Sequence, residues 1–156
     1  MWRTFYGLPV EDPLRDAVEK QLNYYQSIGK RLRLCIGTDS MVRGNRVNFA
    51  TALVFLVVGN GGFMYVHKRR EFRKMPIRER MMAEISYSIQ TAYELDPIVK
   101  KYNIDLEIHA DINQDPKFPS HASYHDAMGY IRSMGYQFVS KPDAFASSVC
   151  ADRFTD

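Results

Sequence analysis

The chain has 156 residues, is 46% hydrophobic and 25% charged, and carries a net charge of +3. That size suits a single domain over residues 1–156, with residues 1–30 as an N-terminal extension and helix, and the composition excludes disorder. The mild net charge selects no partner class.

No secretory leader pattern opens the chain at Met1. The longest apolar run, Phe49 to Val58, is well short of the ~20 residues of a membrane helix. Cys35 and Cys150 are far apart and read as free packing thiols, which suits a reducing compartment. The reading is a cytoplasmic protein without membrane contact.

Asp12 and Pro13 predict a helix start, with Asp as cap and Pro at the first helical position. Leu14, Val18, Leu22, Tyr25 and Ile28 continue it as an apolar stripe up to Gly29. Residues 31–39 then alternate: Leu32, Leu34 and Ile36 share one face, and Arg33, Cys35, Gly37 and Asp39 the other. Arg46 to Val58 is rich in β-forming residues, and Asn60-Gly61-Gly62 signals a hairpin into a third strand ending near Lys68.

Pro76 opens a second helix, striped by Ile77, Met81, Ile85, Ile89 and Ala92, which Asp96-Pro97 is expected to interrupt. A fourth strand runs from Ile104 to Asp111. A third helix begins around Ser120 to Ser123, where Ser123 and Asp126 have capping-box spacing, and Tyr124, Met128, Ile131 and Met134 form its stripe. Tyr136 to Ser140 is a short fifth strand, and Asp143 caps a last helix with Phe145, Val149 and Asp152 facing the sheet. A hairpin meander followed by βαβα predicts an α/β fold: a mixed five-stranded sheet flanked by helices.

Four acids stand out in this order. Asp39 and Asp111 close the first and fourth predicted strands, Glu84 borders the apolar stripe of the second helix, and Asp152 lies on the last. In sheets of this kind, sites collect beyond the carboxyl ends of parallel strands. Converging carboxylates repel unless divalent cations neutralise them, so a group of this kind implies a metal site. Singly, each acid has an ordinary structural role as a turn, cap or solvated residue.

The order of elements and acids resembles the ribonuclease H-like fold. Ile36-Gly37-Thr38-Asp39-Ser40, His109-Ala110-Asp111-Ile112-Asn113, Lys141-Pro142-Asp143-Ala144-Phe145 and Ala151-Asp152-Arg153 look most like its YkuK-type branch. The resemblance implies a metal-dependent nuclease that hydrolyses RNA or DNA with two Mg²⁺ or Mn²⁺ ions about 3.5–4 Å apart. It implies Asp39 as the bridging ligand, Glu84 and Asp111 at the ion near the leaving oxygen, and Asp152 at the ion that activates water. Hard oxygen donors suit these ions better than zinc.

Ser40 and His109 read as supporting residues beside these ligands; Asn113 and Ser120 read either as substrate contacts or as turn and cap residues. Lys68, Arg69, Arg70, Arg73 and Lys74, in the connection toward the helix of Glu84, read as a nucleic-acid-binding run or as a solvated charge run. His121 and His125 have metal-compatible spacing but no accompanying protease motif, and read as solvated or capping. The rival to the nuclease is a non-catalytic nucleic-acid-binding or scaffold protein on the same fold.

Overall fold

Alternation of side chains along the strands sets two unequal faces of one sheet. The computed structural model describes residues 1–113, 115–117 and 124–156. Its strands are β1 (Trp2–Thr4), β2 (Leu32–Arg43), β3 (Arg46–Val57), β4 (Gly62–Glu71), β5 (Leu106–Asn113) and β6 (Gln137–Lys141). The helices are α1 (Leu14–Ser27), α2 (Ile77–Tyr102) and α3 (Tyr124–Ser133). A π-helix, Ala146–Ala151, and a 3₁₀ turn, Asp152–Phe154, follow.

The strand order is β1-β4-β3-β2-β5-β6. Strands β2, β3 and β4 form the antiparallel meander, and β5 and β6 add in parallel, as the hairpin signal and the crossover helices require. The larger core lies on the face of Leu32, Leu34 and Ile36, where α1, α2 and α3 contribute Val18, Leu22, Ile89, Leu95 and Ile131. On the opposite face Cys35, Ala52 and Val54 form a smaller cluster with Ala146 and Ala151 of the π-helix.

Several expectations are corrected. The sheet has six strands, not five: β1 pairs antiparallel with β4 through Trp2, Arg3 and Thr4. Three residues are too few to show an alternation, and this strand is defined by its ladder to β4. Asp39 and Asp111 do not end their strands. β2 continues to Arg43, where Gly44 at positive φ makes the turn into β3, and β5 continues to Asn113.

Helix α2 runs through Pro97 to Tyr102. Proline removes one backbone hydrogen bond, but Leu95 and Ile98 are buried on either side of it, and packing overrides the local preference. At α1, Pro13 takes the cap position, and Asp12 pairs with Lys20 instead of capping. The last helix does not bury the stripe expected of it: Val149 is 64% exposed and Asp152 is exposed. The proposed start of α3 at residues 120–123, with Ser120 and His121, lies outside the described residues.

Candidate active site

The parallel ladder between β2 and β5 pairs Leu34 with Leu106 and stops at Gly37 and His109. Asp39 and Asp111 each lie two residues past this last pair, where the strands part. The crevice at the carboxyl end of a parallel pair therefore receives one acid from each strand, although neither acid ends its strand. Asp39 remains paired with Ala50 of β3. Asp111 sits within an irregularity of the β5–β6 ladder, between the pairs His109–Val139 and Asn113–Lys141.

Helix α2 crosses the other face and aims Glu84 at the same place. Thr38 Oγ1 lies 2.8 Å from Ser88 Oγ and 2.9 Å from Thr51 Oγ1, a buried hydroxyl chain that fixes α2 on β2. One turn earlier, Ser40 Oγ donates to Glu84 Oε1. Glu84 and Asp111 line one narrow crevice with Thr38, Met81 and His109.

Asp152 reaches the site from the sheet's other side. It acts on the Asp39 carboxyl and raises its pKa, although its own side chain is exposed. Gly37 makes this approach feasible. A Cβ there would lie 2.3 Å from Ser147 N and 2.4 Å from Ala146 C, so the π-helix backbone rests directly on β2. His109 adds a second fastening. Its Nδ1 accepts from the Ala146 N–H at 3.2 Å, its Nε2 lies 3.0 Å from Glu107 Oε2, and the Phe145 ring stands edge-on against it.

Burial pushes the Asp39 carboxyl up to about 6, with Asp152 raising it further and the Ser40 backbone opposing. Burial also pushes Glu84 up to about 8, and the charge of Asp39 adds to it. Two cations temper this excess of negative charge. Arg80, one helical turn before Glu84, acts on both Asp39 and Glu84. Lys141 Nζ lies 2.7 Å from Asp111 Oδ1 and also acts on Glu84. Neither cation was given a role at the site in the sequence, although Lys141 opens one of the motifs that carry the family resemblance. Arg80 carried a signal, its spacing of four from Glu84; Lys141 carried its place in that motif, at the end of the strand beside β5.

Among the described residues, a different group has its ligand atoms close enough together to hold a metal ion. Cys35, Glu107 and His109 bring ligand atoms within 4.8 Å of one another. Their protons argue against a metal there. A backbone N–H can only donate, so Nδ1 of His109 is the acceptor and Nε2 carries the proton toward Glu107. Nε2 is thus unavailable as a ligand in this arrangement. Burial, with the Glu107 charge, pushes the Cys35 thiol up to about 12 and keeps it protonated. The cluster is a hydrogen-bonded support for the C-terminal helix.

The four acids suit a hard divalent cation on chemistry: the donors are all carboxylate oxygens, and two are buried enough to resist ionisation. The basic run does not form one patch. Lys68 and Arg70 are exposed on the face of Asp39, whereas Arg69 lies over the Tyr87 ring at 4.3 Å on the face of α2. Arg73 pairs with Glu79, and Lys74 is exposed. Asn113 Oδ1 accepts from the Asp115 N–H, the turn role expected as its alternative. His125 is exposed on α3.

The sequence model of the Ribonuclease H-like family matches residues 16–156. The chain belongs to the ribonuclease H-like family. It is 28% identical over 136 residues to the uncharacterized protein YkuK of Bacillus subtilis (strain 168), covering 78% of each chain. This supports the YkuK-type branch. Among solved structures it is similar to RNase H1 from the halophilic archaeon Halobacterium salinarum NRC-1, at 16% identity and a TM-score of 0.44, covering 78% of this chain and 96% of that one. The N-terminal RNase H domain of rv2228c from Mycobacterium tuberculosis gives 12% identity and a TM-score of 0.44, covering 80% and 94%. Membership of the family supports a nuclease-type or nucleic-acid-related function. Among the described residues no helix is long and apolar enough to cross a membrane.

Proposed function

We propose that this ribonuclease H-like protein is a metal-dependent nuclease that hydrolyses phosphodiester bonds of RNA or DNA. The observation that supports it best is that Glu84 from α2 and Asp111 from β5 line one crevice, while Asp39 is near enough to act on Glu84 by its charge and is itself acted on by Asp152. Asp39, Glu84, Asp111 and Asp152 would hold two Mg²⁺ or Mn²⁺ ions. Such ions supply Lewis-acid polarisation of a phosphoryl oxygen and an activated water at neutral pH.

The chain's own groups have separate tasks. Ser40 orients Glu84 through its hydroxyl. Arg80 and Lys141 offer positive charge to an incoming phosphate and favour the ionised form of Glu84, and Lys141 pairs with Asp111. Gly37 and His109 seat the helix that brings Asp152 to Asp39. The free thiols Cys35 and Cys150 suit a reducing cytoplasm, the proposed location.

A second reading, a non-catalytic nucleic-acid-binding protein, is favoured by one observation. Lys141 already neutralises Asp111, which a lasting ion at that carboxylate would have to displace. The two readings part on metal dependence. Wild type and Asp39→Asn are incubated with labelled RNA, DNA, RNA–DNA hybrid and branched DNA in Mg²⁺ or Mn²⁺. The nuclease reading expects cleavage by wild type alone, stopped by chelation, with the two proteins melting alike. Cleavage retained by folded Asp39→Asn removes the site assignment. No cleavage of any substrate, with salt-sensitive binding that ignores metal, selects the binding protein.

A further inference from the structure

A groove beside the acids is lined by two basic side chains and one aromatic ring that the proposed chemistry leaves unused. It measures about 440 Å³ and is lined by Arg3, Thr4, Gly7, Val66, Lys68 and Phe154. Its position follows from the register. Asp39 pairs with Ala50, and Ala50 with Lys68, so all three stand in one row on one face of the sheet. Two strand spacings put Lys68 roughly 10 Å from Asp39. Phe154 lies two residues after Asp152 in the same 3₁₀ turn. The groove therefore opens directly beside the proposed metal ligands.

From Phe154 a chain of rings and cations leads outward from the groove. Lys68 Nζ is 5.8 Å from the Phe154 ring centre, and Phe5 stands edge-on to Phe154. Tyr6 stands edge-on to Phe5, and its own ring is 87% exposed. Arg153 lies over Phe5 at 5.1 Å. Arg3 is exposed and steadied by the Gly7 carbonyl at 2.8 Å. Phosphates need the cations, and bases need an open ring face, which Tyr6 offers next to the groove; cations beside an open ring suit a strand whose bases are unpaired, since a duplex hides its base faces.

We infer that this groove binds an unpaired stretch of nucleic acid and leads its backbone toward Asp39 and Asp152. The inference rests on the nucleic-acid reading above and narrows it to a single-stranded path. It also divides the basic run: Lys68 belongs to the path, whereas Arg69 on the opposite face and Arg73 in its ion pair do not.

The test is fluorescence anisotropy with labelled oligouridylate and oligothymidylate, in chelator and over a range of salt. Lys68→Glu and Arg3→Glu should weaken binding by about tenfold or more and flatten the salt dependence. Tyr6→Ala removes an exposed ring without touching the core, and should weaken binding about tenfold while leaving the salt slope alone. Arg73→Ala should bind as wild type. The groove assignment is overturned if Lys68→Glu and Tyr6→Ala bind like wild type, or if a duplex of the same length or an acidic peptide competes as well as the single strand. Asp39→Asn separates this failure from that of the nuclease reading. Normal binding by the groove variants beside cleavage by wild type alone sinks only the groove; lost binding by those variants without any cleavage sinks only the nuclease. No binding by wild type sinks the groove together with the nucleic-acid reading it rests on.

Discussion

His109 shows how a single side chain can matter to a site without touching its chemistry. It is 2% exposed, and burial lowers its pKa against the pull of Glu107. Both ring nitrogens are engaged, one by Ala146 and one by Glu107. His109→Ala leaves the buried Ala146 N–H and one acceptor site on Glu107 unmatched. It should cost about 2–3 kcal/mol in urea denaturation and speed hydrogen exchange in residues 146–154 before the sheet opens. An unchanged midpoint would show that the histidine fastens nothing. The sequence marked His109 as a neighbour of Asp111 on one strand face, and that much was legible from a period of two. Its task was not, because Ala146 lies thirty-seven residues away in the chain.

At the scale of elements, the C-terminal helix and α2 carry the two acids that do not come from strands. Gly37→Ala would drive a methyl group into the π-helix backbone, which cannot rotate away as a side chain can. The expected loss is about 3 kcal/mol in denaturant melts, together with loss of any metal-dependent cleavage, since Asp152 moves with the helix. A variant that keeps full stability would show that the two elements are not in contact. Helix α2 gives the opposite sign. Pro97 is exposed within a continuous helix, so Pro97→Ala restores an N–H for the Tyr93 carbonyl. It should stabilise the protein by about 1 kcal/mol or more, read as a raised urea midpoint. The expected break at Asp96-Pro97 followed a sound local rule; Leu95 and Ile98, anchored in the core, outweigh it.

For the molecule as a whole, the acids impose a pH dependence. Asp39 and Glu84 ordinarily titrate at 3.8 and 4.5; in the fold they rise to about 6 and about 8. Below the ordinary values both states are protonated and no penalty applies. As pH rises, the unfolded chain loses these protons first, so the metal-free fold loses stability progressively up to about pH 8. In chelator, Tm should fall by roughly 5–10 °C between about pH 5 and about pH 8.5, and Glu84→Gln should remove much of that fall. Mg²⁺ should restore Tm at the upper pH if the carboxylates bind it. A flat Tm across the range would mean that these carboxylates are not held together in solution.

Local periodicity determined the meander, the two crossover helices, the face on which Asp39 lies and the order of the four acids, because each follows from neighbours a few residues apart. The extra strand β1, the passage of α2 through Pro97, the splitting of the basic run and the cations at the site were decided only in three dimensions. β1 exists because β4 offers it an edge. Arg69 leaves its neighbours because pairing with β3 carries β4 past Lys68, its expected end, to Glu71, and alternate residues of a strand face opposite ways. Lys141 meets Asp111 because an irregular ladder brings the end of β6 beside it. Such contacts join residues distant in the chain, and a pattern of near neighbours carries no record of them.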